Sequence, residues 1–217
     1  MVTAIPGSDL LTSALNVISQ SLQIPVIIFL IIFALYSLFI IGSLISEYSS
    51  HKKIPVKYIR NLIYEIANTE QISDIPDIIK NAKIQKSQKI ALLEIAESSS
   101  LTEDTRRALA RKLFEDEQDK IEKILQKTDI VTKIGPTLGL MGTLIPMGPG
   151  LAALGSGDVT TLASAIIVAF DTTVVGIGAG AVAYVAGKIR RRWYEQYLSN
   201  LDALADTVLD RLKREDN

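Results

Sequence analysis

Residues 24 to 46 read IPVIIFLIIFALYSLFIIGSLIS and carry no charge. At a rise of about 1.5 Å per residue, a helix of this length crosses the roughly 30 Å hydrocarbon core of a bilayer. It also lacks the polar face of a helix lying on a soluble core. Residues 24–46 are therefore predicted to form a first transmembrane helix, preceded by an extracytoplasmic segment, 1–23. From 47 to 128 the pattern changes: charges return and glycine is absent. Apolar residues there recur at helical spacing in Tyr58, Leu62, Ile63 and Ile66, in Ile75, Ile78, Ile79 and Ala82, and in Ile90, Leu93 and Ile95. Pro55, Pro76 and the serines 98–100 punctuate these stretches, so 47–128 reads as a helical domain of soluble character. Thr102 suits an N-cap, and Glu103 and Asp104 suit the positive end of a helix dipole. That helix continues through Leu109, Leu113, Ile121, Ile124 and Leu125, with no stop signal before Gly135 and Pro136.

A second span is predicted at 129–154, with the uncharged run IGPTLGLMGTLIPMGPGLAAL from Ile134 to Leu154. Five glycines (135, 139, 142, 148 and 150) and three prolines (136, 146 and 149) set it apart from the first. Proline breaks soluble helices but is tolerated in a membrane where neighbouring helices satisfy the freed carbonyls. Small residues let backbones approach. The second span thus reads as interior to a bundle, and the first as its lipid-facing jacket. After a turn at 155–159, a third span, 160–187, holds Asp171 as its sole charge and aligns Gly176, Gly180 and Ala183 on one face. Lys188 and Arg190 to Arg192 end it, and Trp193 and Tyr194 follow as interfacial anchors. In the tail, 188–217, Leu198, Leu201, Leu204, Val208 and Leu212 keep helical spacing, predicting an amphipathic or coiled-coil segment. The fold class is all-α: a polytopic membrane protein with three transmembrane helices and long helices extending into a helical cytoplasmic domain.

Bulk composition, 48% hydrophobic and 22% charged over 217 residues, does not by itself reveal a membrane protein; the segregation of charge does. Cations follow the first span (His51, Lys52, Lys53, Lys57, Arg60), border the second (Lys133) and follow the third, while the 155–159 turn has none. The positive-inside rule then predicts the N-terminus outside and the middle domain and tail in the cytoplasm of a cell membrane. The first apolar run lacks the basic flank of a secretory signal and is expected to stay in the mature chain. A net charge of −1 removes the electrostatic case for nucleic acid. The chain has no cysteine and one histidine, and it lacks a glycine-rich loop ending in Gly-Lys-Ser or Gly-Lys-Thr, so no enzyme or cofactor is predicted. His51, beside two lysines at a membrane edge, reads as a solvated juxtamembrane residue.

What remains for chemistry is polar groups at membrane depth: Thr137, Thr143, Asp171, Thr172 and Thr173. A threonine hydroxyl can bond back to a carbonyl of its own helix, so lining a pathway and mere satisfaction are both open to it. An aspartate at the bilayer centre costs roughly 2.5–3.5 kcal/mol. Asp171 is open to carrying a proton or cation, or to a structural hydrogen bond between helices. At two residues' spacing it points about 200° from Thr173, so a straight helix does not turn both toward one pore.

Gly135 to Gly142, GPTLGLMG, followed by Thr143, resembles the second-span pattern of the MotA/TolQ/ExbB proton channel family, nearest its ExbB/TolQ branch. AFDTTVVGIGAG, from Ala169 to Gly180, is similar to that family's Ala-Leu-x-x-Thr-x-x-Gly-Leu. The match places Thr143 and Thr173 on the family's two channel threonines and Gly176 on its glycine. The resemblance implies a homopentameric ring, its second and third spans lining a pore in the lipid bilayer. It also implies a single-span partner like ExbD, TolR or MotB that supplies a transmembrane aspartate. The ion, H+ or Na+, would flow inward and drive rotation or force, for transport across or work at the cell envelope. Thr143, Thr173 and Gly176 are the pathway residues so implied; Thr137 and Asp171 join them as candidates only as polar groups at membrane depth, and Pro136, Gly139, Gly142 and Gly180 are assigned to packing or gating. Two features depart from the pattern: the family's Ala-Ile-Pro is replaced by Gly180, Ala181 and Val182, and Asp171 occupies a commonly apolar position. The competing class is a non-conducting membrane scaffold that assembles partner proteins. An intramembrane enzyme lacks a recognisable nucleophile and base.

Overall fold

A computed structural model describes residues 8–50 and 54–215. The described residues are helical, in the order α1 Ser8–Ser21, α2 Gln23–Ser50, α3 Val56–Ala67, α4 Ile75–Asn81, α5 Lys86–Ala96, α6 Glu103–Gly155 and α7 Val159–Glu215, with two 3-10 turns and no strand. His51, Lys52 and Lys53 lie outside the described residues. Three of these helical stretches are long and apolar enough to cross a membrane: Leu10–Ser49, Glu103–Gly155 and Val159–Arg214. The chain is an all-α polytopic membrane protein. It divides into two units, Met1–Tyr48 with Gln126–Lys188, and Ser49–Leu125 with Ile189–Asn217.

The first unit holds the spans. Helix α2 packs through Val26 and Leu30 against Ile145, with Leu138 and Met141 beside them. A second cluster sets its Ile40 against Val131, Ala179, Ala183 and Ala186. The opposite face of α2 points outward, with Ile28, Phe29, Ile31, Ile32, Leu35, Leu38 and Phe39 exposed. Apolar side chains displayed this widely are stable only in a hydrocarbon solvent. Helix α6 runs unbroken through Pro136, Pro146 and Pro149. It ends in a tight turn where the Asp158 amide donates to the Ala153 carbonyl and Gly157 adopts φ 83°, a conformation that favours glycine. Asp158 then caps α7, its Oδ1 accepting the Thr161 amide at 3.0 Å. The Thr161 hydroxyl, and then that amide, hold the Asp158 carboxyl below its ordinary range.

The second unit has a conventional apolar core. Ile66, Ile75, Ile79 and Leu92 are fully buried, together with Leu204, Val208 and Leu212 of α7. The tail's apolar stripe is therefore consumed within its own chain rather than left for an intermolecular coiled coil. Three polar contacts tie the core's helices together. Tyr197 Oη donates to Glu117 Oε2 at 2.6 Å, and Gln88 Nε2 donates to the Tyr197 carbonyl at 3.0 Å. The Arg211 guanidinium donates to the carbonyls of Thr69 and Glu70, at 2.8 and 2.7 Å, where α3 has ended. Burial, with Glu117 beside it, pushes the Tyr197 phenol well above its usual range, so it stays a donor.

Candidate ion path along α6 and α7

Small residues decide how α6 and α7 meet. A Cβ built on Gly176 would stand 2.6 Å from the Gly135 carbonyl oxygen and 2.8 Å from Gly139 Cα. One on Gly142 would meet the Thr172 side chain at 2.6 Å, one on Gly180 the Pro136 ring at 2.8 Å, and one on Gly150 the Ala165 Cβ at 2.8 Å. At the other end, Gly187 faces Thr128. The two helices thus run antiparallel with backbones in contact over most of the span. This seam fixes which way every polar group turns.

Thr172 is buried in the seam, and its hydroxyl donates to the carbonyls of Val168 at 2.9 Å and Ala169 at 3.0 Å. Thr173, half-buried, donates to the Ala169 carbonyl at 2.9 Å, and Thr143, also half-buried, to that of Leu140 at 2.7 Å. Because α2 contacts α6 through Val131, Leu138 and Ile145 and α7 through Val182, one flank of the pair is covered. At about 100° per residue, Thr143 and Thr173 turn toward the opposite, open flank. Since Gly142 faces Thr172, the two threonines next to them are level within about 3 Å. Pro136 and Gly180, in mutual contact, border the same flank nearer the Lys133 end.

Two candidates lie elsewhere. Thr137 is exposed on the back of α6 and donates to the Lys133 carbonyl at 3.0 Å. Asp171 is exposed at the depth of Thr143 but on the α2 side of α7, about 200° from Thr173. No hydrogen bond or ion pair to it forms among the described residues. Gly139, a packing candidate, and Gly176, a pathway candidate, both lie buried as backbone contacts of the seam.

The pattern of the MotA/TolQ/ExbB proton channel family matches residues 72–203, more than half of the chain and all of the α6–α7 seam. The chain belongs to this family. No individual curated protein matches it. As a MotA/TolQ/ExbB protein it is of proton channel type, and the family's matched region extends beyond the two spans into the second unit, through the Glu117–Tyr197 contact.

Sequence reasoning missed two residues. Thr172 was passed over for its neighbour Thr173, although the spacing Thr172, Gly176, Gly180 already marked it as a seam position. Thr128, fully buried where α6 meets Gly187, has a hydroxyl without a partner among the described residues, and no local pattern announces it.

Proposed function

We propose that this chain is the ring-forming subunit of an ion-driven membrane motor. In this reading five copies enclose a single-span partner bearing a transmembrane aspartate, with the open flanks of α6 and α7 turned toward it. Inward flow of H+, or of Na+, then does work on a target at the cell envelope. The N-terminus lies outside and the second unit in the cytoplasm. The observation that carries the proposal is the pair Thr143 and Thr173, level with each other on the one flank α2 leaves open. Each hydroxyl commits its hydrogen to a carbonyl of its own helix. What it presents outward is lone pairs, which accept from water or hydronium or coordinate a cation. Asp171 lies on the other flank in this scheme, outside the path.

The same committed hydroxyls favour a second reading, a non-conducting scaffold in which the threonines are simply satisfied and the glycine seam serves assembly. The mass of the detergent-solubilised complex, alone and coexpressed with a neighbouring single-span protein carrying a membrane aspartate, separates the two. A ring of five that takes up the partner is the expected result. A monomer or dimer that ignores the partner contradicts the proposal and favours the scaffold.

A further inference from the structure

A basic corner of the second unit has no part in the proposed ion path. Lys80 lies near the end of α4, Lys83 in the connection, and Lys86 and Lys89 in the first turn of α5, with no acid from 80 to 89. Lys80, Lys83 and Lys86 are exposed. The corner is rigidly held: Tyr58 Oη accepts the Lys83 amide at 2.7 Å, and Lys89 Nζ donates to the Lys80 carbonyl at 2.7 Å. Asp77, 3.3 Å from Lys80 Nζ, offsets one charge in part. The start of α5 adds the positive end of a helix dipole.

Two junctions bring residues beside this corner close, along the chain, to the ends of the apolar runs. Gln85 and Gln88, set among the lysines, border a small cleft with Trp193 and Tyr197. Trp193 is six residues past Gly187, the last uncharged residue of the third span, which is about 9 Å of helical rise. An indole at that distance sits at headgroup depth. Helix α3, whose Tyr58 holds Lys83, starts ten residues after Ser46 ends the first apolar run. Its first residue, Val56, is 74% exposed beside exposed Lys57. An outward apolar tip among lysines is the make-up of a surface that rests on lipid.

We propose that the Lys80–Lys89 corner binds the anionic phospholipid headgroups of the membrane that the spans cross, pinning the second unit to the bilayer surface. Lysines act here as point charges toward a diffuse layer of phosphates. A discrete site for a free anion is disfavoured because the α5 N-terminus is already closed by the reciprocal bonds of Gln85 and Gln88.

The test uses the full chain in nanodiscs of phosphatidylcholine, or of phosphatidylcholine with about one-third phosphatidylglycerol, acylated by a lysine-reactive reagent and read residue by residue by mass spectrometry. Lys83 and Lys86 are expected to react about threefold or more slowly in the anionic discs, with protection lost near ~0.5 M salt. Lys112, held by Asp116 at 2.7 Å, is expected to react equally in both. In the K83E/K86E variant, Lys80 and Lys89 should lose their protection. Equal rates for Lys83 and Lys86 in the two discs would overturn the proposal. So would equal protection by inorganic phosphate in neutral discs, or retained protection in the variant.

Discussion

Gly176 has no room for a side chain, because the Gly135 carbonyl oxygen and Gly139 Cα already occupy the place of its Cβ. Two residues on, Gly178 has no atom within 4 Å of the same position. Gly176→Ala is therefore expected to push α6 and α7 apart at a cost of about 1–3 kcal/mol, and Gly178→Ala to be nearly neutral. Thermal unfolding of the two variants in detergent checks this, and equal midpoints would mean that the seam is not closely packed. Asp171 carries a separate expectation. Turned away from Thr173 and exposed within one copy, it lies outside the proposed path, where a neutral isostere is tolerated. Asp171→Asn is expected to keep wild-type ion flux; a loss of flux with the oligomer intact would put a titrating carboxyl back into the path. Which of two adjacent threonines enters the seam was legible only through the four-residue spacing of Thr172, Gly176 and Gly180. Both are equally polar and equally placed in the membrane, and the approach of Gly142 to Thr172 decides between them.

At the scale of elements, the helices themselves were legible because their signals are local. The uncharged run of α2, the Thr102 start of α6 and the Gly157 turn each follow from a few neighbouring residues. The partner of an amphipathic face is not a local property. Leu201, Leu204, Val208 and Leu212 present the same stripe whether it packs on another copy or on the chain's own α3 to α5, so the two alternatives for the tail, a coiled coil and an amphipathic segment packed on its own chain as found here, look alike in sequence. The prolines of α6 were likewise ambiguous, since a membrane helix either kinks at them or runs on. The Tyr197–Glu117 bond joins α7 to α6 inside the second unit, and removing its donor leaves a buried carboxylate with Lys120 as its one remaining partner among the described residues. Tyr197→Phe is expected to destabilise the second unit by about 1–3 kcal/mol, speeding amide exchange of Leu92 and Leu204 about tenfold or more. Replacing Glu117 by Leu in the same chain should recover part of the loss, because the stranded group is then gone. Unchanged exchange in the single variant would show that the bond carries no stability.

For the whole molecule, the family and the three spans were readable because the GPTLGLMG and AFDTTVVGIGAG stretches and the charge-free runs are contiguous. The arrangement of the candidate path was only half readable. Spacing alone separated Asp171 from Thr173, but nothing in the sequence said which flank α2 would cover. In the proposed path that flank leaves Thr143 and Thr173 open together, while Asp171, exposed, is turned to the α2 side and Thr137 to the back of α6. The most direct test of this account is ion flux into vesicles containing the proposed ring with the proposed single-span partner, comparing Thr143→Ala, Thr173→Ala and Thr137→Ala in complexes of equal mass. Flux should fall about tenfold or more in the first two and stay near wild type in the third. Undiminished flux in Thr143→Ala and Thr173→Ala, or a matching loss in Thr137→Ala, would contradict a path along the open flank.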